Sequence, residues 1–115
     1  MEKIVEQDVW FVEFPKEENR DETLTRPAIV MHVYNETLQV LSVKVTKHGA
    51  RESDPFDTGI FYWEDAYLRY PSIARISKTK LLSQNNFKKR IGTLHPQDWK
   101  NITKKFEEWI NQQKL

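Results

Sequence analysis

The stretch Arg26-Pro27-Ala28-Ile29-Val30-Met31 opens a run of strand formers with an arginine fixed at its mouth. Pro27 restricts its own φ and pushes the residue before it toward extended geometry, so Arg26 is held rather than loose. Working upstream, Asp8 to Phe14 sets Val9, Phe11 and Val12 among polar neighbours and ends at Pro15, which reads as a first strand. Lys16 to Thr25 has Leu24 as its one apolar residue and no glycine, the composition of an exposed, acidic loop. Working downstream, Arg26 to Tyr34 and Leu38 to Lys47 are two arms of a hairpin, with a tight turn expected at Asn35-Glu36. Val40, Ser42, Lys44 and Thr46 share one face of the second arm, and Leu41, Val43 and Val45 share the other. Thr46 is therefore expected on a polar face, open to a ligand.

The remainder continues the β pattern. His48 to Thr58, with Gly49, Ser53, Asp54 and Pro55, reads as a loop, and a short strand follows around Gly59 to Phe61. Trp63 to Tyr70 is expected to form one or two helical turns lying across the sheet. Ser72 to Ser77 and Arg90 to Leu94 read as further strands, the latter short and near an edge. Pro96 suits the first position of a helix, where its missing N–H costs nothing. Trp99, Ile102, Phe106, Trp109 and Ile110 then recur at helical spacing. A small antiparallel barrel with a packed C-terminal helix is expected, as one domain spanning residues 1–115.

Composition narrows the function classes. The chain has no cysteine, which removes disulfides, thiolate nucleophiles and cysteine-based zinc sites. His32, His48 and His95 lack metal-ligand spacing, so neither metal nor cofactor is expected. No apolar run approaches the ~20 residues of a membrane span, and the first residues lack a signal-peptide pattern, so a cytoplasmic location is expected. The net charge of +1 hides an asymmetry: residues 1–68 carry seven Lys/Arg against fourteen Asp/Glu, and residues 69–115 carry eleven against three. From Arg69 to Lys105 only Asp98 is acidic. Such a split fits a polyanion-facing surface in the second half, or alternatively a solvated cationic face or an internal match for the acidic half.

Strand, polar loop, Arg-Pro strand, then a strand ending in Thr46: this order resembles the MazF/PemK-like toxins, small ribonucleases of bacterial toxin–antitoxin systems. SIARISKTKLL (Ser72 to Leu82) is similar to that family's fifth-strand segment, and RIGTLHPQDWKNI (Arg90 to Ile102) to its Ile-Gly-x-Leu strand running into a C-terminal helix. The resemblance covers roughly Asp8 to Ile110. It implies a mainly β fold with a C-terminal helix, an SH3-like antiparallel barrel of the PemK/CcdB type. It also implies a sequence-selective endoribonuclease that acts on single-stranded RNA, forms a homodimer and is restrained by a cognate antitoxin. Two departures stand out: Gln7 replaces the glycine that usually precedes the first-strand aspartate, and the first loop lacks the usual Gly/Gln-rich sequence.

A metal-free ribonuclease lets the substrate's 2′-OH attack the adjacent phosphorus, so the protein must move protons and neutralise charge on the phosphorane. By resemblance, Arg26 serves as base and acid, and Thr46 holds the scissile phosphate. A guanidinium keeps its proton far above neutral pH, so chemistry alone assigns Arg26 a bidentate phosphate clamp. A salt bridge to Glu17 or Glu22 in the acidic loop is the structural alternative. His48, two residues beyond Thr46, would place an imidazole beside the phosphate, and Arg51 a cation on the following loop. Ser72 and Arg75 fall where the related toxins place a basic residue near the substrate channel, with Arg75 alternatively a surface strand charge. Lys78 follows in the same segment as a further RNA contact. Phe56 is the expected exposed stacker for a base, while most other aromatics fill the core. The rival function is a non-catalytic barrel that binds nucleic acid or inhibits a protein target, as the related CcdB gyrase poisons do. A peptide-binding adaptor is a third reading.

Overall fold

The Arg26–Met31 run lies at the centre of a six-stranded antiparallel sheet. The computed structural model describes residues 2–47, 49 and 54–113. In chain order the strands are β1 (Asp8–Pro15), β2 (Thr23–Tyr34), β3 (Gln39–Thr46), β4 (Asp57–Ile60), β5 (Ser72–Ser83) and β6 (Phe87–Thr93), followed by helix α1 (Pro96–Gln113). Their order across the sheet is β4-β5-β3-β2-β1-β6, so β6 is an edge strand as expected. The sheet is not closed by hydrogen bonds into a full barrel, because β4 and β6 remain its two ends.

Period-two alternation gives the sheet two apolar faces. Val9, Ile29, Met31, Val43, Val45, Ala74 and Ile76 form one core beneath α1, which contributes Ile102 and rests Trp99, Phe106 and Trp109 against it. Trp10, Val12, Phe14, Ala28, Val30, Val40, Leu82 and Phe87 form a second core on the opposite face. Only a sheet that curls on itself can bury both faces with one helix. Bulges supply the curl. Register shifts occur twice along β1–β6, once in β2–β3 at Val30/His32, and once in β3–β5 between Ser42 and Lys44. At the last of these, Ser42 pairs with Lys80 but Lys44 pairs with Arg75, so the four residues between Arg75 and Lys80 form a bulge, with Ile76 turned into the core.

Several boundaries differ from the expectations for local reasons. β2 begins at Thr23 rather than Arg26, because Thr23, Leu24 and Thr25 pair with Pro15, Phe14 and Glu13. The acidic loop shortens to residues 16–22 and is closed by Lys16, which donates its N–H to Glu22 O at 2.9 Å and its amine to the Glu22 carboxylate. The hairpin turn spans four residues, 35–38, with Leu38 in the left-handed region at φ 56°. β5 runs to Ser83 because, past the bulge, Lys80 to Ser83 pair again with β3.

Trp63–Tyr70 forms no helix. Overlapping turns run from Tyr62 to Tyr67, and the segment stops where Tyr67 takes φ 61° and Leu68 N–H reaches back to Trp63 O at 3.1 Å. This segment bridges the two ends of the sheet. A Cβ at Gly92 of β6 would come within 2.6 Å of Ala66 O, so the Ile-Gly-x-Leu strand needs glycine for backbone contact. Asp98, fully buried in the first turn of α1, accepts the N–H groups of Phe61 (3.0 Å) and Tyr62 (2.8 Å). His95 precedes that turn, accepting the Gln97 N–H on Nδ1 at 3.0 Å while its ring stacks on Tyr62 at 3.9 Å.

The one acidic residue between Arg69 and Lys105 is therefore a structural clamp, a role the charge pattern did not reveal. Asp98→Ala strands two amides in a partly buried position and should cost about 2–4 kcal/mol of stability. Asp98→Asn keeps one acceptor oxygen and should fall between alanine and wild type. Urea unfolding followed by tryptophan fluorescence measures both.

Candidate functional site

Arg26 and Thr46 come together at one end of the central strand pair. Continuing the Ala28–Lys44 pairing by two residues sets Arg26 opposite Thr46, and Val12 of β1 flanks Arg26 on its other side. Pro27 keeps Arg26 in the extended conformation that this pairing needs. The Arg26 side chain is exposed, and its Nη1 donates to Thr25 O at 3.3 Å. Neither Glu17 nor Glu22 takes it. Glu17 accepts from Lys78 Nζ at 2.6 Å and Glu22 from Lys16 at 2.9 Å, so the expected alternative of a structural salt bridge to Arg26 does not form.

Two grooves meet at this pair, and Arg26 and Thr46 line both. The first, of about 410 Å³, runs beneath the β1–β2 loop and is lined by Phe14, Glu17, Lys44, Arg75 and Lys78. The second, of about 500 Å³, lies on the other side and is lined by Phe11, Lys47, Tyr67, Arg69, Tyr70 and Arg90. Their characters differ. The first is ionic: the hydrogen bond and charge of Lys78 hold the Glu17 carboxyl below its ordinary pKa. Burial lowers the pKa of Lys44; Glu17 opposes that, and Arg26, Lys78 and Lys80 add to it. The second is aromatic and cationic, with Tyr67 75% and Tyr70 54% exposed and Lys47 Nζ 5.1 Å from the Tyr70 ring centroid. Exposed rings beside cations are the composition used to bind single-stranded nucleic acid.

The other expected site residues separate. Arg75 is buried, not a surface charge. Its Nη1 bonds the fully buried carboxylate of Asp57 on β4, and its Nη2 donates to Gly49 O at 3.4 Å. It lines the first groove, with its guanidinium committed to structure. Ser72 is buried, donates its hydroxyl to Tyr70 O at 2.6 Å and lines the second groove. Lys78 lies on the β5 bulge at the first groove. Phe56 corrects an expectation: it is half-buried against the helix-side core and lines neither groove, because the chain around it folds back onto β5. Tyr67 and Tyr70 hold the exposed positions instead. His48 and Arg51 lie outside the described residues. Among the described residues, no cluster of three or more His, Asp or Glu could hold a metal ion. No helix is long and apolar enough to cross a membrane.

Lys44 was legible by strand parity, since it shares its face with Thr46. Tyr67 and Tyr70 were not, because their exposure depends on how residues 61–70 bridge the sheet ends. Gln7 is accounted for. Its φ of 79° is the left-handed geometry that favours glycine. The glutamine is held there by its own N–H to Val30 O (2.9 Å), the Leu94 N–H to its carbonyl (3.0 Å) and its Nε2 to Leu94 O (2.8 Å).

A family model described as PemK-like, MazF-like toxin of type II toxin-antitoxin system matches residues 6–110. No curated protein sequence matches the chain. Among solved structures, the Mycobacterium tuberculosis toxin MazF-mt6 superposes with a TM-score of 0.67 at 14% identity, over 90% of this chain and 96% of that one. An endoribonuclease from Mycobacterial species gives 0.69 at 12% identity, over 96% and 94%. An endoribonuclease in complex with its cognate antitoxin, also from Mycobacterial species, gives 0.70 at 10% identity, over 95% and 96%. At these identities the structural likeness speaks to the fold.

The commitment of Arg75 to Asp57 can be measured. Arg75→Met leaves the buried carboxylate without its guanidinium and should destabilise the protein by about 3–5 kcal/mol. Adding Asp57→Asn in the same chain should recover a large part of that loss in urea titrations.

Proposed function

This chain belongs to the PemK-like, MazF-like toxins of type II toxin–antitoxin systems, and on that premise we propose that it is a sequence-selective, metal-independent endoribonuclease of single-stranded RNA. The observation that carries the reading is the Arg26–Thr46 pair at the junction of the two grooves. A strand laid through both grooves brings one phosphate to the pair. The neighbouring ribose 2′-oxygen then bonds to phosphorus as the P–O5′ bond breaks, leaving a 2′,3′-cyclic phosphate and a 5′-hydroxyl. The 2′-OH gives up its proton and the leaving 5′-oxygen gains one. The planar Arg26 fork suits the non-bridging oxygens, whose charge grows in the transition state. The Thr46 hydroxyl orients the same phosphate. DNA lacks the internal nucleophile and is spared.

Substrate reading fits the second groove, where Tyr67 and Tyr70 offer ring faces to unstacked bases. The partners of this reading are the RNA strand, a second copy of the chain in a two-fold dimer that lengthens the groove, and an antitoxin. The antitoxin would cover the cationic grooves with acidic and apolar side chains, in the cytoplasm. The solved endoribonuclease bound to its cognate antitoxin supports the last partner by analogy of fold.

Pure protein incubated with a long RNA in EDTA should cleave it at a limited set of sites, with cyclic phosphate and 5′-hydroxyl ends. Cleavage that stops in EDTA and returns with magnesium overturns the mechanism; binding without cleavage returns the protein to the non-catalytic reading. Arg26→Ala should lower the cleavage rate by at least about 100-fold, the scale of losing one charge-stabilising donor. Arg26 is exposed, so the same variant should unfold within about 0.5 kcal/mol of wild type. Lysine at this position should rescue poorly, because a point charge lacks the bidentate fork.

A further inference from the structure

Lys44 stands two residues before Thr46 on the same face of β3, and both residues line the first groove. The pairing neighbours of Lys44 are Ala28 on β2 and Arg75 on β5. The amine lies 5.8 Å from the centroid of the Phe14 ring of β1. Among the described residues, no carboxylate or carbonyl lies within ion-pair or hydrogen-bond distance of it. The groups that face it are charged and mostly of its own sign. Arg26 approaches from β2, Lys78 and Lys80 from β5, and Glu17 from the β1–β2 loop. Arg75 on β5 lines the same groove. Glu17 is bonded to Lys78, and Arg75 to Asp57.

A half-buried ammonium among cations is an unfavourable arrangement that an arriving anion relieves. We propose that Lys44 is a substrate contact of this site, its ammonium donating to phosphate oxygens of the RNA strand where that strand enters the first groove beside Arg26. The proposal rests on the endoribonuclease reading for the identity of the polyanion. It separates Lys44 from Arg75 and Lys78, which line the same groove but already have carboxylate partners. Burial and the neighbouring cations hold the Lys44 amine below the ordinary lysine pKa, with Glu17 opposing. Its charge is complete below that lowered value and is lost as pH rises through it, so RNA affinity should fall on the alkaline side sooner than an ordinary lysine would allow. Folding responds in the opposite sense, because the folded state disfavours the charged form: a neutral side chain here should leave stability equal or higher.

The test uses the full chain and a fluorescent, mixed-sequence RNA 2′-O-methylated at every position, which binds without being cut, alongside cleavage of unmodified RNA. Lys44→Met should weaken binding about tenfold at neutral pH, the scale of one charge-assisted hydrogen bond, with unchanged or raised stability. It should also flatten the slope of log affinity against log salt by about 0.7. Lys44→Arg stays charged and should abolish the alkaline loss of affinity seen in the wild type. Lys100→Met, on the exposed face of α1, should bind as the wild type does. Wild-type binding by Lys44→Met overturns the proposal. Should that variant fail to fold, coincident pH curves for wild type and Lys44→Arg overturn it equally. If the wild type binds the RNA without cleaving it, the reaction falls and the contact is still decided by these variants; if the wild type binds no RNA, both fall.

Discussion

The pairing of β2 with β3 is the constraint on which the site depends. Ala28 opposite Lys44 and Val30 opposite Ser42 put Val30, Val40 and Ala28 in one core and Ile29, Val43 and Val45 in the other. A slip of one residue would turn every side chain of the central pair to the opposite face, exchanging residues between the two cores and swinging Lys44 toward the helix side. Both cores therefore hold the register, and the register holds Arg26 across from Thr46. The Arg26–Thr46 pair thus inherits its geometry from apolar packing some residues away.

A second set of contacts decides what surrounds that pair. The sheet is open, and its two ends are linked by the turn segment after β4, which rests on Gly92 of β6 and is pinned by Asp98 of α1. Because this segment is fixed from both sides, Tyr67 and Tyr70 project over the second groove while Leu68 is buried.

Charge follows the same division. Glu17–Lys78, Asp57–Arg75, Glu13–Lys88 and Asp8–Arg90 each join the acidic first part of the chain to the basic second part. The internal-match reading of the asymmetry is therefore realised in part. The cations Arg26, Lys44, Lys47, Arg69 and Lys89 are outside these pairs, and they line the two grooves. An overall charge near zero is thus compatible with a strongly cationic track, since cancellation occurs elsewhere in the fold.

Strand alternation, the Arg-Pro opening, the proline-started helix and the Ile-Gly-x-Leu segment are local signals. They sufficed for a mainly β fold with a C-terminal helix, because period and φ restriction act between near neighbours along the chain; it was the family resemblance that singled out Arg26 and Thr46 as a pair. The twelve-residue β5 exceeded its expected length because a bulge is defined by the partner strand, which sequence periodicity does not see. Phe56 reads as an exposed aromatic until β5 is beside it, and Arg75 reads as a channel cation or a surface charge until Asp57 is across from it. Gln7 looks like a departure from a glycine pattern until Val30 and Leu94 supply the hydrogen bonds that hold it at φ 79°. By itself the sequence determined that a series of strands precedes a proline-started helix, and that Arg26 and Thr46 lie on the two arms of one hairpin. The tertiary structure alone decided which cations are committed and which aromatics are exposed, because those outcomes depend on atoms brought from distant parts of the chain.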